Sequence, residues 1–220
     1  MTRIRFLILA ATAFLSGCTG LPRPSPPSAA IRVTFDTSRI TSVRARGVGL
    51  NDPVRIASIS KLIVAIGVMR LAEAGTLALD EDASRWLGFK LRNPHFPNVP
   101  ITLRLLLSHR SSLRDDVDYA IPLGQTVQQA LADPKAWDRE HPPGTFFRYA
   151  NLNFPVIASA MERVTGERFD RLMHRLVFEP LTIDACFNWP TCDDGTVGRA
   201  VELRDEKGGV RRDDLVGKCP

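Results

Sequence analysis

Two hydrophobic patterns follow each other in the first third of the chain. Between residues 31 and 49, apolar and polar positions alternate, which predicts an antiparallel β-hairpin with its turn near 36–38. From Ser58 the period changes to that of a helix, which ends at Gly75. Its recurring apolar positions are Ile59, Leu62, Ile63, Ile66, Met69 and Leu71. Since apolar residues nearly encircle it, the helix 58–74 is predicted to be buried on most sides.

Further along, helical segments alternate with loops that are rich in proline. Thr102 is placed as the N-cap of one short helix, and Thr126 opens another. Two amphipathic helices follow, one ended by Gly166 and one closed by Pro180. A strand pair in front of a helical region predicts an α+β (mixed α/β) fold. In the polar C-terminal part, only 199–205 has a pattern typical of a strand.

The first thirty residues have the pattern of an export signal. Residues 1–17 join a short positive stretch to an apolar segment that is too short to span a bilayer. The ending Leu-Ser-Gly-Cys resembles the lipobox of bacterial lipoproteins, which implies cleavage before Cys18 and a lipid on its thiol. An ordinary secretory signal with a chance cysteine is the alternative. Residues 18–30 are typical of a Pro/Ser-rich tether.

Composition adds limits of its own. The chain has 220 residues, of which 44% are hydrophobic, and a net charge of +5, so it can bury one sizeable core. Lys and Arg are interleaved with Asp and Glu, so nucleic-acid binding is not favoured. Export implies an oxidising compartment, where Cys186 and Cys192 could form a local disulfide while Cys219 is left odd. No histidine lies at ligand spacing near them, so no zinc site is predicted.

Candidate chemistry is concentrated at Ser58 and Lys61. On a helix their side chains share one face, whereas Ser60 points about 200° around it from Ser58. A serine hydroxyl needs a base to accept its proton, and a lysine amine can be that base where apolar surroundings favour its neutral form. The alternative is that Ser58 is only an N-cap and that Lys61 extends from a core helix to solvent.

A second pair of polar side chains lies just before the helix that Gly166 ends. Tyr149 and Asn151 are alternate residues in an extended turn, so they point the same way. A hydroxyl and an amide could therefore face one cleft. The alternative makes Tyr149 a loop aromatic and Asn151 a helix N-cap.

With these segments in view, the chain resembles the serine beta-lactamase-related hydrolases, the class C beta-lactamase, D-alanyl-D-alanine carboxypeptidase and esterase type. The resemblance runs from about Val33 to Thr182 and includes "RIASISKLIVA", "ITLRLLLSHRSSL" and "PPGTFFRYANLNF". It implies that Ser58 attacks an amide, ester or beta-lactam carbonyl to form an acyl-enzyme. Lys61 and Tyr149 would then share the proton transfers, and Asn151 would bind substrate. No metal or organic cofactor is implied.

The family's third motif, K-[TS]-G or H-x-G, has no good counterpart in this sequence. The only candidate, "KGG" at 207–209, lacks the middle hydroxyl and follows Tyr149 too closely; a charged hairpin turn is the better interpretation. The domain is therefore expected to be truncated, with its C-terminal sheet strands missing. Loss of one oxyanion donor costs about 10²–10³ in rate, so the chain alone is expected to be weak or inactive.

Another departure lies in "SHRSSL". The family has threonine and glycine where this chain has Arg110 and Ser112, and the glycine position predicts a positive φ that serine tolerates less well. His109 could be mistaken for a catalytic base. The resemblance implies a structural role instead, as a buried and hydrogen-bonded histidine.

The resulting plan has four segments: a signal peptide at 1–17, a lipidated tether at 18–30, an incomplete domain at 31–195 and a polar charged tail at 196–220. It predicts a serine hydrolase in the bacterial cell envelope, facing the periplasm and held at the membrane by lipid on Cys18. Its expected partner is a small-molecule or peptidoglycan-like substrate, and the choice between peptidase, esterase and beta-lactamase stays open. The alternative is a non-catalytic lipoprotein that keeps the helical half as a binding module.

Overall fold

The computed structural model describes residues 29–121, 124–205 and 209–211. The lipobox cysteine, Cys18, and the odd Cys219 lie outside the described residues. The chain divides into two units, 1–50 and 51–220, and each is described by itself. Across the described ranges, no helix combines the length and the apolar character needed to cross a bilayer.

The first unit holds the hairpin that the alternating pattern predicts. Its antiparallel strands are β1 (Ala30–Phe35) and β2 (Ile40–Arg46). The turn forms because Asp36 Oδ1 accepts hydrogen bonds from the backbone N–H groups of Ser38 (2.8 Å) and Arg39 (2.9 Å). The prediction of a hairpin in 31–49, turning near 36–38, is therefore confirmed.

The second unit is mainly helical. Its α-helices are α1 (Ser60–Glu73), α2 (Ser84–Leu87), α3 (Leu103–Leu107), α4 (Val127–Ala130), α5 (Asn153–Thr165), α6 (Phe169–Met173) and α7 (Asp194–Arg199). Helix α5 packs against α2, α3, α4 and α6, so it lies at the centre of this unit. Two short strands, β3 (Leu203–Arg204) and β4 (Val210–Arg211), pair antiparallel.

Local capping chemistry determines where the central helices begin and end. The Thr102 hydroxyl accepts a hydrogen bond from Leu105 N–H and caps α3. Thr126 forms a reciprocal capping box with Gln129 at α4. Helix α5 ends at Gly166, whose φ of 68° carries the chain out of the helix without steric cost. All three predicted helix boundaries are confirmed.

The core is built around the buried face of α5 and its neighbours. Val156, Ile157 and Met161 of α5 are completely buried, and burying each such side chain stabilises the fold by about 1.5–3 kcal/mol. Helix α1 approaches closely because Gly67 lacks a side chain. A Cβ there would lie 2.8 Å from Met173 Sδ, so a larger residue at this position would require the Met173 side chain to move.

Helix α1 differs from its prediction in two respects. It begins at Ser60 rather than Ser58, because Ala57–Ile59 forms a 3-10 turn that leads into it. The predicted burial on most sides is wrong, since only the face with Val64, Gly67, Val68 and Leu71 is buried. Leu62 is 62% exposed. The periodicity of hydrophobic residues shows which faces of a helix are apolar. It does not show whether another part of the chain packs against those faces.

The C-terminal part also differs from its prediction. The helix expected to run to Pro180 consists of α6 and a π-helical segment, His174–Phe178, that ends before the proline. The predicted boundary at 195/196 falls inside α7, and Thr196 there is buried. The strand predicted at 199–205 is only β3. It pairs with β4, which follows the "KGG" segment at 207–209. Residues 207 and 208 of that segment lie outside the described residues.

Candidate active site

Ser58 sits in the 3-10 turn that leads into α1. The turn is closed by a hydrogen bond from Ile59 N–H to Ile56 C=O (3.0 Å) and by the Ser60 hydroxyl, which donates to Ala57 C=O (2.6 Å). Ala57 has a φ of 44°, an unfavourable value for a residue with a side chain. The backbone is thus held in a tight turn that leaves Ser58 exposed, while Ser60 is used in the turn itself.

Lys61 connects the two halves of the candidate site. Its Nζ donates to Ser58 Oγ (3.1 Å) and to Asn151 Oδ1 (2.9 Å). The same Nζ lies 5.1 Å from the centre of the Tyr149 ring and 5.2 Å from that of Phe154, within the range of cation–π attraction. The amine is therefore fixed between a hydroxyl, an amide oxygen and two aromatic faces.

Tyr149 brings a second polar group to the serine. Its hydroxyl lies 2.8 Å from Ser58 Oγ, so one of the two hydroxyls donates to the other. Hydrogen bonding with Lys61 and then with Ser58 lowers the pKa of Tyr149 from its usual value. Both neighbours favour the phenolate, so the deprotonated form that can accept a proton is more accessible than in an ordinary tyrosine.

His109 holds the segment that carries Tyr149. Its backbone C=O accepts from Arg148 N–H (2.9 Å) and its Nδ1 accepts from Ala150 N–H (3.2 Å), so both neighbours of Tyr149 are fixed. The rings of His109 and Tyr149 stack with 4.5 Å between centroids. Burial and then the nearby Lys61 charge lower the pKa of His109. The ring is half-buried rather than fully buried, and it contacts the site as a neutral support.

Asn151 is held from the side opposite Lys61. The Asp115 carboxylate accepts hydrogen bonds from Asn151 N–H (2.7 Å) and Asn151 Nδ2 (2.8 Å), and from Leu152 N–H (3.0 Å). These bonds fix the loop that enters α5. Sequence reasoning missed Asp115, because "RDD" in a loop gives no sign of which distant segment an aspartate will meet.

The structure brings together all four residues that the sequence selected as a site. Ser58, Lys61, Tyr149 and Asn151 form one hydrogen-bonded chain. Such a chain can move the serine proton to a neighbouring amine or phenol and leave the oxygen nucleophilic.

In the described part of the chain, no group of three or more His, Cys, Asp or Glu residues could hold a metal ion. Elsewhere in the unit, Cys186 and Cys192 are joined by a disulfide.

A serine hydroxyl with an adjacent lysine and tyrosine, in the turn that leads into a helix, has the neighbours that a nucleophilic serine needs. Residues 27–216 match the Beta-lactamase family. The chain belongs to this family, and its mixed α/β fold is of the beta-lactamase and penicillin-binding-protein type.

The curated relatives include a carboxypeptidase/endopeptidase and an esterase. The D-alanyl-D-alanine-carboxypeptidase/endopeptidase AmpH of Escherichia coli K12 is 28% identical over 141 residues, covering 60% of this chain and 36% of that protein. The esterase EstB of Burkholderia gladioli is 29% identical over 151 residues, covering 60% and 37%. The chain thus spans little more than a third of the length of these relatives.

Solved structures show the same fold. EstCE1, described as a hydrolase with promiscuous acyltransferase activity, matches with a TM-score of 0.66 and 23% identity over 83% of this chain and 53% of its own. The octameric penicillin-binding protein homologue from Pyrococcus abyssi matches with a TM-score of 0.65 and 20% identity over 83% and 45%. At these identities the likeness concerns the fold alone.

Proposed function

We propose that the chain is a serine hydrolase that reacts through an acyl-enzyme on Ser58. The observation that carries this proposal is the position of Ser58 Oγ, 3.1 Å from Lys61 Nζ and 2.8 Å from the Tyr149 hydroxyl. Both distances are within the reach of direct proton transfer. An isolated N-cap serine does not need two such neighbours.

The proposed reaction has two steps. Ser58 Oγ attacks the substrate carbonyl carbon while its proton passes to Lys61 or Tyr149. The bond from that carbon to the leaving group then breaks, and the leaving nitrogen or oxygen takes up the same proton. In the second step water attacks the acyl ester, gives a proton back to Ser58 and releases the acid. Asn151 contributes by holding Lys61 and by offering an amide to the substrate.

This chemistry defines only the reacting group of the substrate, which is a carbonyl with a nitrogen or oxygen leaving group. We propose a small-molecule or peptidoglycan-like amide, ester or beta-lactam. AmpH is a carboxypeptidase/endopeptidase by name and EstB an esterase, which supports this range. We expect weak or absent turnover by this chain alone. The reason is that "KGG" at 207–209 offers no counterpart of the strand that supplies a second oxyanion donor.

Covalent labelling tests the proposal without requiring turnover. The purified chain is incubated with a fluorescent penicillin and, separately, with a fluorescent fluorophosphonate, and the adduct is located by mass spectrometry. We expect the label on Ser58 and none in Ser58→Ala. Ser42→Ala is the control, since this serine lies in β2, outside the candidate site, and the variant should keep the label. A folded chain that neither probe labels, or that is labelled equally in Ser58→Ala, would contradict the proposal and support a binding module.

Lys61 provides a second test of the mechanism. Lys61→Ala removes the amine that contacts Ser58 Oγ, and loss of a proton-transferring group slows reactions by about 10²–10⁴-fold. The labelling rate with the better probe should fall within that range. Lys90→Ala, a change of the same type outside the site, should leave the rate unaltered. An unchanged rate in Lys61→Ala would remove Lys61 from the mechanism.

We also propose that the protein is lipid-anchored in the bacterial cell envelope and faces the periplasm. The lipobox-like ending at Cys18 supports this location. The disulfide between Cys186 and Cys192 supports it as well, because disulfides persist in oxidising compartments.

A further inference from the structure

Asp115 uses both carboxylate oxygens on the segment that carries Asn151. Its Oδ2 accepts from Asn151 N–H (2.7 Å) and from Asn151 Nδ2 (2.8 Å), while its Oδ1 accepts from Leu152 N–H (3.0 Å). The two backbone bonds alone would be ordinary capping of the entry to α5. The bond to the Asn151 side chain is different, because it concerns a group that also contacts Lys61.

An ionised carboxylate can only accept hydrogen bonds, so the end of the Asn151 amide that faces Asp115 must be the NH₂ group. The carbonyl Oδ1 then points the other way, toward Lys61 Nζ at 2.9 Å. In the opposite rotamer the NH₂ group would face Lys61 Nζ, and the hydrogen bond that Nζ donates to the amide oxygen would be lost. One carboxylate thus determines which end of the amide the lysine meets.

We propose that Asp115 is a positioning residue: it orients the Asn151 amide and, through it, fixes Lys61 beside Ser58. This role rests on the proposed acylation of Ser58. The relay runs from Asp115 to Asn151, from Asn151 to Lys61 and from Lys61 to Ser58, with each contact between 2.8 and 3.1 Å. The neighbouring Asp116 is not part of this relay, since its carboxylate pairs with Arg114 at 2.7 Å.

Two variants separate positioning from capping. Asp115→Ala removes every acceptor. Asp115→Asn can place its amide oxygen where Oδ2 lies and keep both bonds to Asn151, at the expense of the bond from Leu152 N–H. Positioning therefore predicts substantial rescue in Asp115→Asn, whereas a role through the carboxylate charge predicts none. Asp116→Ala is the matched control, as it removes the same group one position away.

The first measurement does not depend on activity. In a ¹H–¹⁵N spectrum of the labelled chain, the side-chain NH₂ signals of Asn151, assigned with Asn151→Ala, should be protected from solvent exchange in the wild type and in Asp115→Asn. They should lose that protection in Asp115→Ala. Unchanged Asn151 signals in Asp115→Ala, with the thermal unfolding midpoint showing a folded chain, would overturn the proposal. This result is informative even if neither acylating probe reacts with the wild type, which would be a failure of the proposed function instead.

The second measurement is the acylation rate of Ser58. Misplacement of a reacting group by about 1 Å can cost roughly 10²-fold, so Asp115→Ala should lower the labelling rate by roughly that factor. Asp115→Asn should recover most of it, and Asp116→Ala should match the wild type. Equal losses in Asp115→Ala and Asp115→Asn would contradict the positioning role.

Discussion

Backbone strain lies close to the candidate nucleophile. Ala57, just before Ser58, has a φ of 44°, and His109, which stacks on Tyr149, has a φ of 56°. Ser112, three positions after His109, has a φ of 66°. Each such residue costs about 1–2 kcal/mol relative to a right-handed conformation, so the hydrogen bonds around it must hold it in place. At His109 those bonds also hold Tyr149, which links the strain to the site.

Ser112 offers a test of this strain. Its hydroxyl accepts a hydrogen bond from the buried Asn93 Nδ2 (3.0 Å), and both Ser112→Ala and Ser112→Gly lose that bond. Only glycine relieves the positive φ. Ser112→Gly should therefore be more stable than Ser112→Ala by about 1 kcal/mol in the free energy of unfolding measured by urea denaturation. Equal stabilities, or a more stable alanine variant, would show that the backbone at 112 is not strained.

His109 makes stability depend on pH. Its pKa is lowered in the folded chain from an ordinary 6.5, by burial and by the Lys61 charge, so unfolding takes up a proton as the pH falls below that value. The stability that the neutral His109 ring contributes is complete above its ordinary pKa and decreases as the solution is acidified below that value. His109→Asn keeps an acceptor and tolerates the positive φ but does not titrate.

Urea unfolding at pH 7.5 and pH 5.5 checks this expectation. The free energy of unfolding should fall more between these two pH values in the wild type than in His109→Asn. A wild type and His109→Asn that respond equally would show that His109 does not link folding to protonation.

At the scale of elements, the beginning of α2 is tied to two neighbouring segments by Asp82. Its carboxylate accepts from Ser84 N–H (3.0 Å) at the start of α2 and from both terminal nitrogens of Arg92, one at 2.9 Å. Its backbone also forms a bridge with Thr102, the cap of α3. Hydrogen bonding with Arg92 is the largest cause that lowers the pKa of Asp82 to about 2. Asp82 thus joins α2 and the loop at Arg92 through its carboxylate, and α3 through its backbone.

Asp82→Asn should destabilise the chain at neutral pH and not in strong acid. The pKa shift from 3.8 to about 2 is worth about 2.5 kcal/mol at most. Because the side chain is 35% exposed, we expect about 1–2 kcal/mol after screening. This stability is present above pH 3.8, the ordinary value, and is lost as the pH falls toward 2.

Urea unfolding at pH 7 and in strong acid checks this prediction. The difference between wild type and Asp82→Asn should be largest at pH 7 and should shrink as the solution is acidified. Asp80→Asn is the control, because Asp80 pairs with Arg104 at the surface, where its side chain is 71% exposed, and should change little. A difference for Asp82→Asn that is the same at both pH values would mean that the Arg92 pair contributes no net stability.

Elements with local signals could be predicted from the sequence, and those with distant causes could not. The cap at Thr102, the capping box at Thr126 and the end of α5 at Gly166 depend on neighbours within a few residues. The exposed face of α1 depends on what the rest of the chain covers, and periodicity does not contain that information. The contact of Asp115 with Asn151 joins loops 36 positions apart, and no local pattern encodes it.

At the scale of the whole molecule, the candidate site is assembled from two distant parts of one unit. The Ser58 and Tyr149 hydroxyls are 91 positions apart in the chain. The spacing of Ser58 and Lys61 could be interpreted on a helix, and that of Tyr149 and Asn151 in a turn. Only the resemblance to a hydrolase family joined the two pairs before the structure did. Each pair alone also had an ordinary structural explanation, so the meeting of the pairs is what favours chemistry.

The location of the molecule depends on Cys18, which is outside the described residues. If the lipobox prediction is correct, the mature chain begins at Cys18 and carries a diacylglyceryl group on its thiol. Two acyl chains give stable membrane anchoring, whereas one gives only marginal binding. In a bacterial host, the wild type should therefore fractionate with membranes and should require detergent for release.

Cys18→Ala should remove both the added lipid mass and the membrane association, while Cys219→Ala should keep them. Intact-protein mass spectrometry of each fraction, with sequencing of the mature N-terminus, measures the two effects separately. A Cys18→Ala chain that stays in the membrane fraction, or a wild type cleaved elsewhere without lipid, would replace the lipoprotein prediction with an ordinary secretory signal. The protein would then be free in the periplasm, because the tether at 18–30 would no longer hold it at the membrane surface. Ser58 would have to meet its proposed substrate in solution.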